Sequence, residues 1–272
     1  MKPRLDRYLV NKGHFPSRQR AQEAIKAGLV RVNGQPALRP GAAINGDPQV
    51  EVIGELLPYA SRGGLKLARA LAIFGLSPVG RVCLDIGAST GGFTDCLLKN
   101  GARRVYAVDV GTGQLAAELR HDPRVVVLEG VNARYLSAEQ VPEEVALAAI
   151  DVSFISVTKV LPAVAGRLAM RGDLVVLVKP QFEVGPDRVG RRGVVRDQAL
   201  HREAILTVAE AAPALGLGAQ GLDYSLLVGP KGNIEFLLWL EAGVPSRLTA
   251  LDWARRVDEV VATAHSALGQ RE

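Results

Sequence analysis

"RVCLDIGASTGGFTD", residues 81–95, decides the fold. An apolar run, Val82 to Ile86, reads as a strand buried on both faces, with a turn holding Gly87, Gly91 and Gly92 after it. The next residues open a helix, predicted over 93–100. The glycines let the backbone pass close to a ligand at the strand's carboxyl end. The turn is not the dinucleotide fingerprint G-x-G-x-x-G, because position 89 is Ser. It also lacks the Lys-Ser/Thr end of a phosphate loop.

The same alternation recurs downstream. Strand-like runs fall at 104–110, 124–130, 145–154 and 173–179, then at "YSLLVG" (224–229) and "IEFLLWL" (234–240). Helical segments are predicted between them at 157–170 and 198–212. Alternation of this kind implies an α/β fold, a mainly parallel Rossmann-like sheet with helices on both faces. Functional residues are therefore expected just after each strand.

Asp109 ends the second strand, 22 positions after Gly87. A carboxylate there can accept both hydroxyls of an adenosine ribose. Glycine-rich turn and acidic strand end together fit S-adenosylmethionine (SAM) or NAD, and the missing fingerprint favours SAM. Asn132, after the third strand, could reach an adenine edge and could equally be a turn residue. The candidate cofactor set is Gly87, Ala88, Ser89, Thr90, Gly91, Gly92, Asp109, Val110, Asn132 and Asp151. Asp151 begins "DVSF", where amine methyltransferases carry an Asn/Asp-Pro-Pro-aromatic stretch, so amine chemistry is disfavoured.

Four charges stand out: Lys66, Asp151, Lys179 and Glu235. "LVVLVKPQFE" (174–183) puts Lys179 where a buried strand ends, and Pro180 helps end it. Glu235 falls in an apolar run, where an unpaired carboxylate is costly. Taken singly, Lys179 and Lys66 read as solvated charges, and Glu235 as a partner for an arginine.

The charge is uneven. The chain carries net +5, yet residues 1–46 hold nine basic and two acidic side chains, leaving the rest slightly negative. A basic head suggests an anionic polymer as partner. "RLDRYLVNKG" reads as a short helix with Leu5, Tyr8 and Leu9 on one face. A second helix runs from the Ser17 N-cap to a Gly28 stop, with Ala21, Ala24 and Ile25 inward. Asn33-Gly34 marks a hairpin.

This head, about residues 3–55 with "PSRQRAQEAIKAGLVRVNG", resembles the S-four (αL-type) RNA-binding domain. The resemblance implies an α+β module that docks on structured RNA, with Arg4, Arg7, Arg18, Arg20, Lys26 and Arg31 toward phosphates. The order Lys66, Asp151, Lys179, Glu235 resembles the K-D-K-E tetrad of the FtsJ-like ribose 2′-O-methyltransferases. The whole chain resembles the TlyA family, through "SRGGLKL", "DIGASTGGFTD", "VDVGTGQL", "DVSFIS", "VKPQFE" and "GPKGNIEFL". That family, also labelled haemolysin A, methylates the ribose 2′-hydroxyl of cytidine in large-subunit ribosomal RNA, and some members also modify the small subunit. The resemblance implies SAM as cofactor and ribosomal RNA or ribosomal subunits as partner. It leaves the oligomeric state open.

The expected domains are 1–56 (RNA-binding), a linker at 57–63, and 64–272 (methyltransferase). A free lysine has a pKa near 10.4, so Lys179 must be depressed to serve as general base. Burial and Lys66 would push it down, whereas Asp151 and Glu235 would push it up. A loop at 184–197 carries Arg188, Arg191, Arg192 and Arg196, expected to form a mobile clamp on RNA or a solvated loop.

No run reaches the roughly 18 apolar residues of a spanning helix, and the first ten residues lack an apolar signal core. No membrane partner and a cytoplasmic location are expected. Cys83 and Cys96 read as reduced core thiols, and no Cys/His cluster suggests a metal. Three rivals remain: a non-catalytic RNA-binding assembly factor, a haemolysin-like membrane-active protein, and an NAD-dependent dehydrogenase.

Overall fold

The computed structural model describes residues 3–15, 17–26, 28–54, 57–190 and 192–269. The chain divides into two compact units, Met1–Pro58 and Tyr59–Glu272. In the larger unit Tyr59 packs against the apolar layer, and the Ala60 N–H donates to Asp95 (2.9 Å).

In the smaller unit, helices α1 (Leu5–Asn11) and α2 (Arg18–Lys26) precede three short strands. These are β1 (Val30–Val32), β2 (Gln35–Pro36) and β3 (Val50–Val52), antiparallel in the order β2-β1-β3. Leu5, Leu9, Ala21, Ala24, Ile25 and Val30 are buried, so both predicted helical stripes face inward. Asn33 and Gly34 have φ of 51° and 77°, as a two-residue I′ hairpin turn requires. Asp6 is buried and receives Arg4 (3.0 Å), Arg18 (2.9 Å) and Gln22 (2.6 Å). The hydrogen bond from Arg4, aided by Gln22 and Arg18, holds its carboxyl well below the usual carboxylate range.

The larger unit begins with α3 (Gly63–Phe74), β4 (Val82–Ile86), α4 (Gly92–Lys99), β5 (Arg104–Asp109), α5 (Ala117–Arg120) and β6 (Val125–Glu129). It continues with β7 (Val145–Ile150), α6 (Leu161–Ala165), β8 (Leu168–Val178), α7 (Pro180–Glu183) and α8 (Gln198–Ala211). The end is formed by β9 (Leu217–Tyr224), β10 (Phe236–Ala242) and α9 (Ala250–Leu268). The sheet order is β6-β5-β4-β7-β8-β10-β9, parallel from β6 to β8, with β10 antiparallel to both of its neighbours. Along β4, Leu84 and Ile86 enter a layer with α6, α8 and α9, whereas Cys83 enters one with α3 and α4. Burial on both faces explains the continuous apolar runs. The strand order reverses between β4 and β7, the switch point where such sheets take ligands.

Three sequence expectations are corrected. The helix expected over 157–170 stops at Ala165, and β8 starts at Leu168. Leu168, Ala169 and Met170 continue an apolar helical period, but Arg171 (φ 63°) and Gly172 form an irregular start to the strand. The sixth strand of this unit is not "YSLLVG" but the preceding 217–224, and residues after Tyr224 turn around the Ser225 hydroxyl. Glycines hid this strand. Gly221 is required because a Cβ there would lie 2.8 Å from the Phe74 ring. Glu235 immediately precedes β10 rather than lying within it.

The outer edge of β9 is covered. The Ala219, Leu222 and Tyr224 carbonyls accept from the Arg247 backbone N–H (2.8 Å), Arg256 (3.1 Å) and Arg69 (2.9 Å). The Ala219 N–H donates to Ser246 (3.1 Å).

Candidate active site

At the end of β4, Gly87 adopts φ 86°, and a Cβ there would sit 2.4 Å from the Asp151 carbonyl oxygen. Only glycine lets the two strand ends run this close. Gly87→Ala is therefore expected to destabilise the larger unit by about 2 kcal/mol or more, because the obstacle is backbone. A melting-temperature comparison checks this.

Beside that contact lies a cavity of about 510 Å³. Of the candidate cofactor residues, Gly87, Ser89, Asp109, Val110, Asn132 and Asp151 line it. Ala88, Thr90, Gly91 and Gly92 do not; they build the turn. Ala88 is buried, the Thr90 carbonyl accepts from the Ala116 N–H, Gly91 (φ 96°) packs on Leu119, and Gly92 packs on Ser61. Asp109 accepts the Ser89 N–H (2.8 Å) and the Gly111 N–H (2.7 Å), drawing two loops around its carboxylate. Glu129 holds the Gly113 amide (2.9 Å) and Arg120 (2.6 Å), fixing the loop after β5. Asn132 lines the cavity and also caps the next turn by accepting the Arg134 N–H (3.1 Å).

Lys66, Asp151, Lys179 and Glu235 come from α3 and from the ends of β7, β8 and the approach to β10. Helix α3 reaches them because its first turn presses on that of α4. A Cβ on Gly64 would lie 2.7 Å from the Gly92 carbonyl oxygen, so bare backbone meets bare backbone. The four charges form two pairs. Lys66 donates to Glu235 in a buried ion pair. Lys179 Nζ lies 2.6 Å from Asp151 Oδ1 and donates to the Ser153 hydroxyl (3.0 Å). Burial pushes the Glu235 carboxyl up, against the pull of Lys66 and, more weakly, Lys179. The four formal charges sum to zero and can hold a neutral hydroxyl among donors and acceptors.

Three residues went unnoticed in the sequence. Ser153 touches Lys179 and lines the cavity. Phe154, also lining it, is 92% exposed at φ 65°, and its ring lies 5.3 Å from that of Phe182. Both follow Asp151 directly, so their place after a switch-point strand was the available signal. Asp85 is fully buried in β4, accepts from Thr94 (2.6 Å), and keeps one oxygen without a partner among the described residues. Burial, chiefly, pushes its carboxyl up to about 7. An acid inside an apolar strand just before the glycine turn was its signal.

The candidate RNA contacts differ in freedom. Arg7, Lys26 and Arg31 are exposed, and Arg20 is partly buried. Arg4 and Arg18 are about half exposed and tied to Asp6. In the larger unit Arg192 is exposed, but Arg188 forks onto Glu203 (2.7 and 2.6 Å). Arg191 lies outside the described residues. Nor does the loop hang free. Asn233 receives the Val195 N–H (2.9 Å) and donates to the Gly193 carbonyl (2.8 Å).

The profile of the FtsJ-like methyltransferases matches residues 59–242. The chain belongs to the FtsJ-like methyltransferase family. An S4-domain profile matches residues 3–47 ahead of that methyltransferase region. A Mycobacterium tuberculosis protein named 16S/23S rRNA (cytidine-2′-O)-methyltransferase TlyA is 48% identical over 248 residues, 91% of this chain and 92% of its own length. Hemolysin A from Brachyspira hyodysenteriae is 42% identical over 235 residues, 86% of this chain and 98% of its own. A solved structure of a hemolysin-named protein from Streptococcus thermophilus is 44% identical, with a TM-score of 0.76, covering 99% of this FtsJ-like chain and 98% of that one. Among the described residues no helix is long and apolar enough to cross a membrane, and no group of three His, Cys, Asp or Glu could hold a metal.

Proposed function

We propose that this protein uses SAM to methylate the ribose 2′-hydroxyl of a cytidine in ribosomal RNA, acting on ribosomal subunits in the cytoplasm. The observation that carries this reading is the doubly paired Lys66–Glu235 and Lys179–Asp151 set beside the switch-point cavity. The relatives' names supply the cytidine and the ribosomal RNA. The domains we assign are an RNA-binding head at 1–56, a connection at 57–63 and a catalytic region at 64–272.

The cavity fits the proposed cofactor. Asp109 offers a carboxylate at a strand end, and the bare backbone at Gly87 permits close approach. Gly87, Ser89, Asp109, Val110, Asn132 and Asp151 would hold it. Bound there, SAM supplies an electrophilic methyl group on a sulfonium that already carries the positive charge.

The chain's own residues handle the hydroxyl. Lys179 takes its proton as general base, a role worth about 10²–10⁴-fold. Asp151 and Ser153 orient the Lys179 amine, and Lys66 with Glu235 supplies a second buried ion pair. Much of the rate comes from alignment. The exposed Phe154 ring offers a stacking face to the base. Phe154→Ala is expected to raise KM for RNA about tenfold, from the roughly 1–3 kcal/mol of one base–aromatic stack. Steady-state kinetics on ribosomal subunits check it. Arg7, Lys26 and Arg31 of the head, with Arg4, Arg18 and Arg20, bind phosphates, as do Arg188, Arg191 and Arg192.

The deciding experiment incubates the protein with labelled SAM and purified ribosomal subunits, then maps the label. The expected result is label on the ribose of a cytidine in large-subunit RNA, with or without one in the small subunit. Label on a base, or on no RNA, overturns the reading.

A further inference from the structure

A second cleft, of about 470 Å³, lies at the β9 edge of the larger unit and shares no lining residue with the catalytic cavity. Phe74 from α3, Trp239 from β10 and Trp253 from α9 line it, and Arg247 and Arg256 stand at its rim. The Phe74 and Trp239 ring centres are 5.8 Å apart, and Gly221 keeps the strand beneath them bare.

The polar groups point to the ligand's charge. The acid lining the cleft, Asp223, is already taken by Arg69 (2.9 Å). Arg247 is exposed, and its guanidinium has no acceptor among the described residues. Arg256 spends one nitrogen on the Leu222 carbonyl, and its other contact is a 3.5 Å approach to the exposed Glu259. The Trp253 indole N–H is buried without an acceptor among the described residues, whereas that of Trp239 donates to Asp173 (2.9 Å). The cleft thus combines an aromatic floor, unmatched positive charge and an excess of donors over acceptors. A planar ring bearing an anion satisfies all three. Aromatic side chains stack with bases, and guanidinium groups pair with phosphate oxygens. The volume is within the range of small-ligand sites.

We propose that this cleft binds a nucleoside phosphate: the ring lies against Phe74 and Trp239, and the phosphate meets Arg247 and Arg256. The ligand is either a nucleotide within an RNA strand or a free nucleotide. The inference does not rest on the methyl-transfer reading.

Trp239 and Trp253 are the two tryptophans of the chain, so intrinsic tryptophan fluorescence reports on this cleft. The full chain, with the catalytic cavity saturated by S-adenosylhomocysteine, is titrated with cytidine 5′-monophosphate and with a short single-stranded oligocytidylate. Saturable quenching by both probes identifies a free-nucleotide site, and quenching by the oligonucleotide alone identifies an RNA subsite. Arg247→Ala, a substitution at the exposed rim, is expected to weaken that binding about tenfold while leaving S-adenosylhomocysteine binding unchanged. Quenching by neither probe, or quenching that Arg247→Ala leaves unaltered, overturns the proposal.

Discussion

Lys179→Ala is expected to lower methyl transfer by about a thousandfold or more while SAM affinity stays within about threefold of the parent. Lys179 Nζ contacts Asp151 and Ser153, two residues of the cavity lining, whereas Asp109 is held by the Ser89 and Gly111 backbone N–H groups. Removing the amine deletes the proton acceptor and leaves most of the cavity wall in place. Lys179→Arg separates base from charge. A guanidinium preserves the ion pair with Asp151 but stays protonated, so it cannot accept the hydroxyl proton. It should be as inactive as the alanine variant. Single-turnover transfer to ribosomal subunits, with calorimetry for SAM, measures both. Turnover near the parent rate by either variant removes Lys179 as the base.

Lys66→Ala should cost stability as well as activity. Lys66 is about 10% exposed and Glu235 about 1%, so removing the lysine strands a carboxylate in the interior. Breaking a buried pair in this way costs roughly 3–5 kcal/mol. The sign of the pH dependence follows from Glu235. Its folded-state pKa already lies above the free value because of burial, and losing the pull of Lys66 raises it further. Between the free and the raised value the folded chain binds the extra proton, so the variant's stability falls as pH rises through that window. The Lys66→Ala deficit should therefore shrink on acidification. Lys66→Met combined with Glu235→Leu should recover most of the stability and none of the activity. Denaturant melts of the three proteins at several pH values test this. A Lys66→Ala deficit below about 1 kcal/mol at neutral pH shows that the pair is not structural.

The parallel sheet was legible because its strands are buried on both faces and read as unbroken apolar runs. The head was legible from two helical stripes and the Asn33-Gly34 turn. β9 was not, because Gly218 and Gly221 dilute its strand character where the Val244–Pro245 backbone and the Phe74 ring press on it. The four charges were legible as a set only through family resemblance. Their pairing was not, since Lys66 and Glu235 are 169 positions apart and meet through the close glycine contact between α3 and α4. Phe154 carries no periodic signal at all: it sits in a turn at positive φ, where propensity disfavours an aromatic.

The covered edge of β9 has a consequence for behaviour at high concentration. An open edge strand is a template for pairing with another chain. Here three arginine nitrogens and one serine hydroxyl occupy groups that a foreign strand would need. Two of those arginines, Arg69 and Arg256, use side chains, so single substitutions reopen carbonyls without altering the strand itself. This side of the sheet is closed to intermolecular strand addition, and fibrillar aggregation that starts at β9 must first displace Arg69 and Arg256.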